Sequence, residues 1–70
     1  MSTHLAQAEL LMQRARYQDA EAVLRRALAE DPTDAEAHTL LAFTLLYQGR
    51  ATDALLEAQA AVRFAPDSPA

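Results

Sequence analysis

The sequence predicts an all-α fold of four helices, arranged as two tandem antiparallel helix-turn-helix hairpins. Three observations predict it: the composition favours helices, the apolar residues recur at helical spacing, and the two halves match each other at a shift of 34 residues. Of the 70 residues, 17 are Ala and 11 are Leu, whereas Ile and Trp are absent. Ala and Leu head the helix-propensity scale, and strands favour β-branched and aromatic residues.

The first half of the chain predicts a helix from Thr3 to Ala15 and another from Gln18 to Glu30. Each carries apolar residues spaced as i, i+3, i+4 and i+7, with polar residues on the opposite face. Pro32 ends the second helix, because the residue before a proline is pushed out of the α region. The two apolar stripes consist of Leu5, Ala8, Leu11, Met12 and Ala15, and of Ala20, Val23, Leu24, Ala27 and Leu28.

The second half predicts two more helices. A capping-box spacing begins at Thr33, which is expected to cap the third helix while Glu36 reaches back to it. That helix runs to about Tyr47, and Gly49 lies just past its end, where a left-handed backbone strains glycine least. A fourth helix is predicted from Thr52 to Phe64, followed by a second proline.

The 34-residue shift aligns residues 1–34 with residues 35–68 without a gap. It is informative because rare residues coincide: the two histidines pair, and so do two of the three prolines. Such a period is typical of stacked helical repeats. We therefore predict repeat units at 1–34 and 35–68, with 69–70 as the start of a third unit or a tail. The identical pairs are His4/His38, Ala8/Ala42, Leu11/Leu45, Arg16/Arg50, Asp19/Asp53, Ala20/Ala54, Ala27/Ala61 and Pro32/Pro66.

These residues resemble the tetratricopeptide repeat (TPR) family over nearly the whole chain. In that family, small residues mark the close approach of two antiparallel helices, large ones fill the seam and a proline ends each unit. The resemblance implies that the first helices of the hairpins line a concave face on which protein partners dock. The matching residues are the small Ala8, Ala42, Ala20, Ala54, Ala27 and Ala61, the large Leu11 and Leu45, the aromatic Tyr17 and the closing Pro32 and Pro66.

The third predicted helix has more apolar residues than packing within its hairpin requires. Phe43 and Tyr47 are four residues apart and hence neighbours on one face, so we expect them to anchor a partner helix or peptide. Glu9 is the clearest charge on the matching face of the first half. The predicted partner-binding residues are Leu5, Glu9, Met12, Thr39, Leu40, Phe43, Leu46 and Tyr47.

A structural role explains the same apolar residues equally well. Helices that are apolar all round are usually buried, so Phe43, Leu46, Tyr47 and Phe64 could pack on further repeats of a parent protein or on a second copy in a homodimer. The dipeptide Ser68-Pro69 suits the beginning of another helix, which favours further repeats.

Composition argues against several other classes of partner and location. The net charge is −4, and the six basic residues, all Arg, are spread among ten carboxylates, which disfavours binding to nucleic acid. The longest mainly apolar stretch, Leu40 to Tyr47, is far shorter than the ~20 residues of a membrane span. The N-terminus lacks the features of a signal peptide, so we expect a cytoplasmic protein.

No motif predicts catalysis, a cofactor or a metal. The sequence contains no cysteine, nucleophile motif or phosphate-binding glycine loop. His4 and His38 are one repeat apart and are expected to pack as aromatic residues rather than to converge on a metal. We also expect a local ion pair between His38 and Asp34, and histidine titration could make the stability depend on pH.

Overall fold

The computed structural model describes residues 3–65, and these form four α-helices. They are α1 (Thr3–Gln13), α2 (Tyr17–Glu30), α3 (Ala35–Tyr47) and α4 (Ala51–Phe64). Hairpin 1 is α1 with α2, and hairpin 2 is α3 with α4. The all-α prediction is confirmed, and helix ends differ from prediction by two residues or fewer. The predictions that concern Pro66, Ser68 and Pro69 lie outside the described residues.

The two hairpins close with the same turn. In each, the second residue after the end of the first helix lies in the left-handed region, Ala15 at φ 58° and Gly49 at φ 77°. The next residue then donates its backbone N–H to a carbonyl five residues back, which satisfies one of the free carbonyls at the helix end. The equivalent hydrogen bonds, each 2.9 Å long, are Arg16 N–H to the Leu11 carbonyl and Arg50 N–H to the Leu45 carbonyl.

The predicted cap of α3 is wrong by one residue. Asp34, not Thr33, caps the helix, and its side chain accepts a hydrogen bond from the Ala37 N–H at 3.1 Å. Thr33 instead donates its hydroxyl to Asp31 at 2.8 Å. A carboxylate at the cap also suits the positive end of the helix dipole, so Asp34 is the stronger candidate for this position.

Alanines lie where the helices approach most closely. The six small positions of the repeat are all buried, and Leu24, Leu41 and Leu45 fill the space between the helices with no exposed surface. Consecutive helices pack on one another, so α3 lies between α2 on one side and α4 on the other. The buried small residues are Ala8, Ala20, Ala27, Ala42, Ala54 and Ala61. No helix in the described part of the chain is long and apolar enough to cross a bilayer.

His38 joins the two helices of hairpin 2. Its ring stacks on Phe64 with the centroids 5.6 Å apart, as expected for a histidine at an aromatic position. Its ion-pair partner is Glu57 on α4, with Nδ1 2.7 Å from Oε1. The two ring nitrogens contact Glu57 and the Pro32 carbonyl, so the expected local pair with Asp34 is not a direct contact, although Asp34 helps to raise the pKa of His38. His4 lies farther from its acidic neighbour Glu30, at 3.6 Å.

Candidate functional site

A cavity of about 470 Å³ opens between α3 and α4 on the side of hairpin 2 away from hairpin 1. We call it the α3–α4 cavity. Its walls are almost wholly apolar, and they include side chains as exposed as Phe43 (50%) and Val62 (78%). It is lined by Thr39, Ala42, Phe43, Leu46, Ala51, Ala54, Leu55, Ala58, Ala61 and Val62.

The lining offers little hydrogen bonding to an occupant. The hydroxyl of Thr39 already donates to the Ala35 carbonyl at 2.9 Å, within its own helix. The other nine lining residues have hydrocarbon side chains. An apolar concavity of this kind on a small domain is a site for apolar side chains rather than for a polar or charged ligand.

The matching surface of hairpin 1 is covered by α3. Of the ten residues that lie 34 positions before the lining residues, all but Glu9 are buried or half-buried, whereas seven of the ten lining residues are exposed. Leu24 has no exposed surface and Leu28 is half-buried, but their equivalents Ala58 and Val62 are exposed. The two hairpins therefore present the same kind of surface, occupied by a helix in one case and open in the other.

One face of α3 makes this covering contact. Ala37, Leu41 and Thr44 have no exposed surface. Their equivalents in α1 are Thr3, Gln7 and Leu10, which are all exposed and make no such contact within residues 3–65. The difference in burial identifies the stripe of α3 that faces α2.

Hydrogen bonds at the C-terminal end of α3 fix the position of α3 on α2. Glu21 accepts hydrogen bonds from Gln48 at 3.0 Å and from Arg50 at 3.0 Å. Although partial burial alone would raise the pKa of Glu21, the hydrogen bonds from Gln48, Arg25 and Arg50 outweigh it and lower that pKa. In hairpin 2 the equivalent position is Leu55, so the α3–α4 cavity has no such carboxylate.

Three of the predicted partner-binding residues line the cavity: Thr39, Phe43 and Leu46. Tyr47, the second expected anchor, stacks on Tyr17 with ring centroids 4.9 Å apart and is not among the lining residues. The remaining four lie elsewhere. Leu5 and Leu40 pack against the core, Met12 is half-buried and Glu9 is exposed.

The α4 side of the cavity was not predicted. Leu55 and Val62 stand 34 residues after Glu21 and Leu28, and both are large exposed hydrophobic residues. The signal was present in the repeat alignment, where an apolar residue replaces a carboxylate at Leu55 and a small residue replaces a large one at Ala58. The sequences of the first helices, α1 and α3, do not indicate that these α4 residues line a cavity.

No charged residue is among those that line the cavity, but several stand close to lining residues along the chain, among them Glu36, Glu57 and Arg63. Glu36 is exposed one turn before Thr39 on α3. On α4, the Glu57 carboxylate is engaged by His38. Within residues 3–65 no group of three His, Cys, Asp or Glu residues could hold a metal ion.

Comparison with known proteins identifies one family. The model of the tetratricopeptide repeat family matches residues 5–69. No curated protein and no solved structure matched the chain.

Proposed function

The chain belongs to the tetratricopeptide repeat family, whose members generally mediate protein–protein interaction, and from this premise we propose that it is a non-enzymatic module that binds an amphipathic helix of a partner protein. The helix occupies the α3–α4 cavity. In this proposal residues 1–34 and 35–68 are the two repeat units, and no cofactor is needed.

The observation that carries the proposal is the packing of α3 on hairpin 1. There, a helix with an apolar stripe covers the surface equivalent to the open cavity and leaves Leu24 with no exposed surface. Surfaces built on the same pattern favour the same kind of occupant, because ridges and grooves of matched spacing interlock. A partner helix therefore extends an interface that the chain already uses internally.

Phe43 and Leu46 are the proposed anchors on α3, and Leu55 and Val62 are those on α4. Large apolar side chains in a concave site contribute most of the binding free energy in helix-in-groove recognition. Five predicted residues of the first-helix face are not among the lining residues: Leu5, Glu9, Met12, Leu40 and Tyr47. They are proposed to contact the flanks of a longer partner.

A second copy of this chain is a weaker occupant than a different protein. Its α1 would present Gln7 and Arg14 where α3 presents Leu41 and Gln48. Burying the polar Gln7 against apolar walls without a hydrogen-bond partner costs free energy. Glu36, exposed one helical turn before the lining residue Thr39, is proposed to favour a partner helix that carries basic residues on its solvent face.

The test uses a synthetic probe helix whose contact stripe is taken from α3. The probe carries leucine at the positions of Thr44 and Gln48, to match apolar walls, and lysines on its solvent face. It comprises residues 33–50 of this chain with the changes Thr44→Leu, Gln48→Leu, Phe43→Lys, Leu46→Lys and Tyr47→Lys.

Binding of the labelled probe is measured by fluorescence anisotropy for two matched variants, Leu55→Lys and Leu56→Lys. These adjacent leucines are 58% and 59% exposed, but only Leu55 lines the cavity. We expect Leu55→Lys to weaken binding about tenfold or more, because an ammonium group replaces apolar contact, and Leu56→Lys to leave it nearly unchanged.

Equal effects of the two variants, or no binding of the probe to the parent chain, would refute the proposal. Light scattering on the same samples provides the companion measurement. A dimer that is lost in Leu55→Lys would assign the cavity to a second copy instead.

A further inference from the structure

Resting on the proposed function, we propose that Ala58 determines specificity in the α3–α4 cavity. It selects a partner helix with a bulky aliphatic side chain where α3 carries Thr44. Two equivalent helix contacts of the chain differ in side-chain size.

The register of α3 on α2 determines which side chains meet at the covered contact. The connection through residues 31–34 turns the chain back, so α3 runs in the opposite direction to α2. Gln48 is hydrogen-bonded to Glu21, at 3.0 Å. Thr44 lies one helical turn before Gln48 on α3, and Leu24 lies one helical turn after Glu21 on α2. Neither residue has exposed surface. This register pairs a small residue of the covering helix with a large residue of the surface beneath.

At the open site, the residue of the surface is small instead of large. Ala58 stands 34 residues after Leu24, and its side chain is shorter by most of a leucine side chain. The wall of the cavity is therefore recessed at this point. A covering helix with threonine at this point would leave a void, and protein interiors tolerate few voids larger than a water molecule. A leucine at the same point fills the space.

Polarity also disfavours a threonine at this point of the partner helix. The hydroxyl of Thr44 is buried without a hydrogen-bond partner among residues 3–65. A threonine against Ala58 would bury a hydroxyl against equally apolar walls. One turn before Ala58, Leu55 takes the place of Glu21. A partner helix with a glutamine at the position of Gln48 would therefore find no hydrogen-bond acceptor there. Size and polarity thus favour the same partner, a helix with aliphatic residues on two consecutive turns.

The test compares the probe helix with a second peptide that differs from it only in retaining threonine at the position of Thr44. With the parent chain, we expect the leucine peptide to bind about tenfold more tightly than the threonine peptide, because it buries more apolar surface and no hydroxyl. The variant Ala58→Leu fills the cavity wall, and it should abolish or reverse this preference. Ala22→Leu, at an exposed alanine of α2, is the matched control and should retain it.

The outcomes separate the two proposals. Equal affinity of the peptides for the parent chain, tighter binding of the threonine peptide, or an unchanged preference in Ala58→Leu would overturn the specificity inference while leaving helix binding intact. Failure of both peptides to bind would refute the proposed function itself. Because Ala58 is exposed, the helical circular dichroism of Ala58→Leu should match that of the parent chain and validate the comparison.

Discussion

Nδ1 of His38 lies 2.7 Å from Oε1 of Glu57, while Nε2 of the same ring lies 2.7 Å from the Pro32 carbonyl oxygen. A carbonyl and an ionised carboxylate can only accept hydrogen bonds, so the two contacts are both satisfied only by the protonated ring. Burial alone would lower the pKa of His38, but the hydrogen bonds to Glu57 and Pro32 outweigh it and raise that pKa.

The stability of the protein is therefore predicted to fall as the pH rises through the folded-state pKa of His38. The stabilisation is fully present below the unfolded-state pKa of about 6.5 and is lost above the raised folded-state pKa. Between these two pKa values the folded state binds more protons than the unfolded state, so the free energy of unfolding falls as the pH rises. Thermal unfolding followed by circular dichroism between these limits checks this. His38→Phe should make the unfolding midpoint nearly independent of pH in this range, whereas His4→Gln should keep the pH dependence of the parent chain. A parent midpoint that stays constant or rises with pH would contradict the stabilising role of protonated His38.

Glu21→Gln is predicted to lower the free energy of unfolding by about 1 kcal/mol. The carboxylate accepts hydrogen bonds from Gln48 and Arg50 and so links hairpin 1 to hairpin 2, but its partners are partly exposed and screened by solvent. Its lowered pKa means that the stabilisation is present above the unfolded pKa and is lost as the pH falls through the folded value. Urea unfolding measures the effect. Glu9→Gln, on the exposed surface of α1, is the control, and an equal loss in that variant would show that general charge is responsible.

Ala15→Gly is predicted to stabilise the protein by about 0.5–1 kcal/mol. Ala15 has φ 58°, which costs an L-residue about 1–2 kcal/mol, and the gain is offset in part by the greater freedom of glycine in the unfolded chain. Gly49→Ala is the reciprocal test. A Cβ at Gly49 would meet nothing within 4 Å, so any loss of stability there comes from the backbone. Urea unfolding that ranks Ala15→Gly below the parent would contradict the turn geometry.

Thr44→Val is predicted to stabilise the protein by about 1–2 kcal/mol. The substitution keeps the β-branched shape and removes a buried hydroxyl that makes no hydrogen bond among the described residues. Thr39→Val is the matched control, because its hydroxyl is exposed and bonds to the Ala35 carbonyl, and it should change stability by less than about 0.5 kcal/mol. A loss of stability in Thr44→Val would mean that the hydroxyl has a partner.

The helices and the small positions were predictable because they follow from local rules: apolar spacing, alanines at close approaches and glycine at the turn of hairpin 2. The cap of α3 was harder, since Thr33 and Asp34 are both good capping residues and the choice depends on where the first turn starts. The partner of His38 could not be read from local spacing. Glu57 lies on the neighbouring helix, so only the packing of the hairpin brings it near.

The candidate site was half predictable for a similar reason. Phe43 and Leu46 stand out as surplus apolar residues on one helix, and the sequence identifies them. The wall formed by Leu55, Ala58 and Val62 becomes visible only once α4 is seen beside α3. Tyr47 is a different case, because its stacking on Tyr17 joins residues 30 positions apart and no periodicity within α3 reveals that contact.

The most direct test of helix binding is a methyl NMR map of the parent chain as the probe helix is added. We expect the methyl resonances of Leu55, Ala58 and Val62 to shift and to show contacts to the leucines of the probe, while those of Leu56 and Leu5 stay in place. Shifts centred on Leu5 and Met12 would move the site to the first-helix face. No shift at any methyl group would contradict the proposed binding of a helix in the α3–α4 cavity.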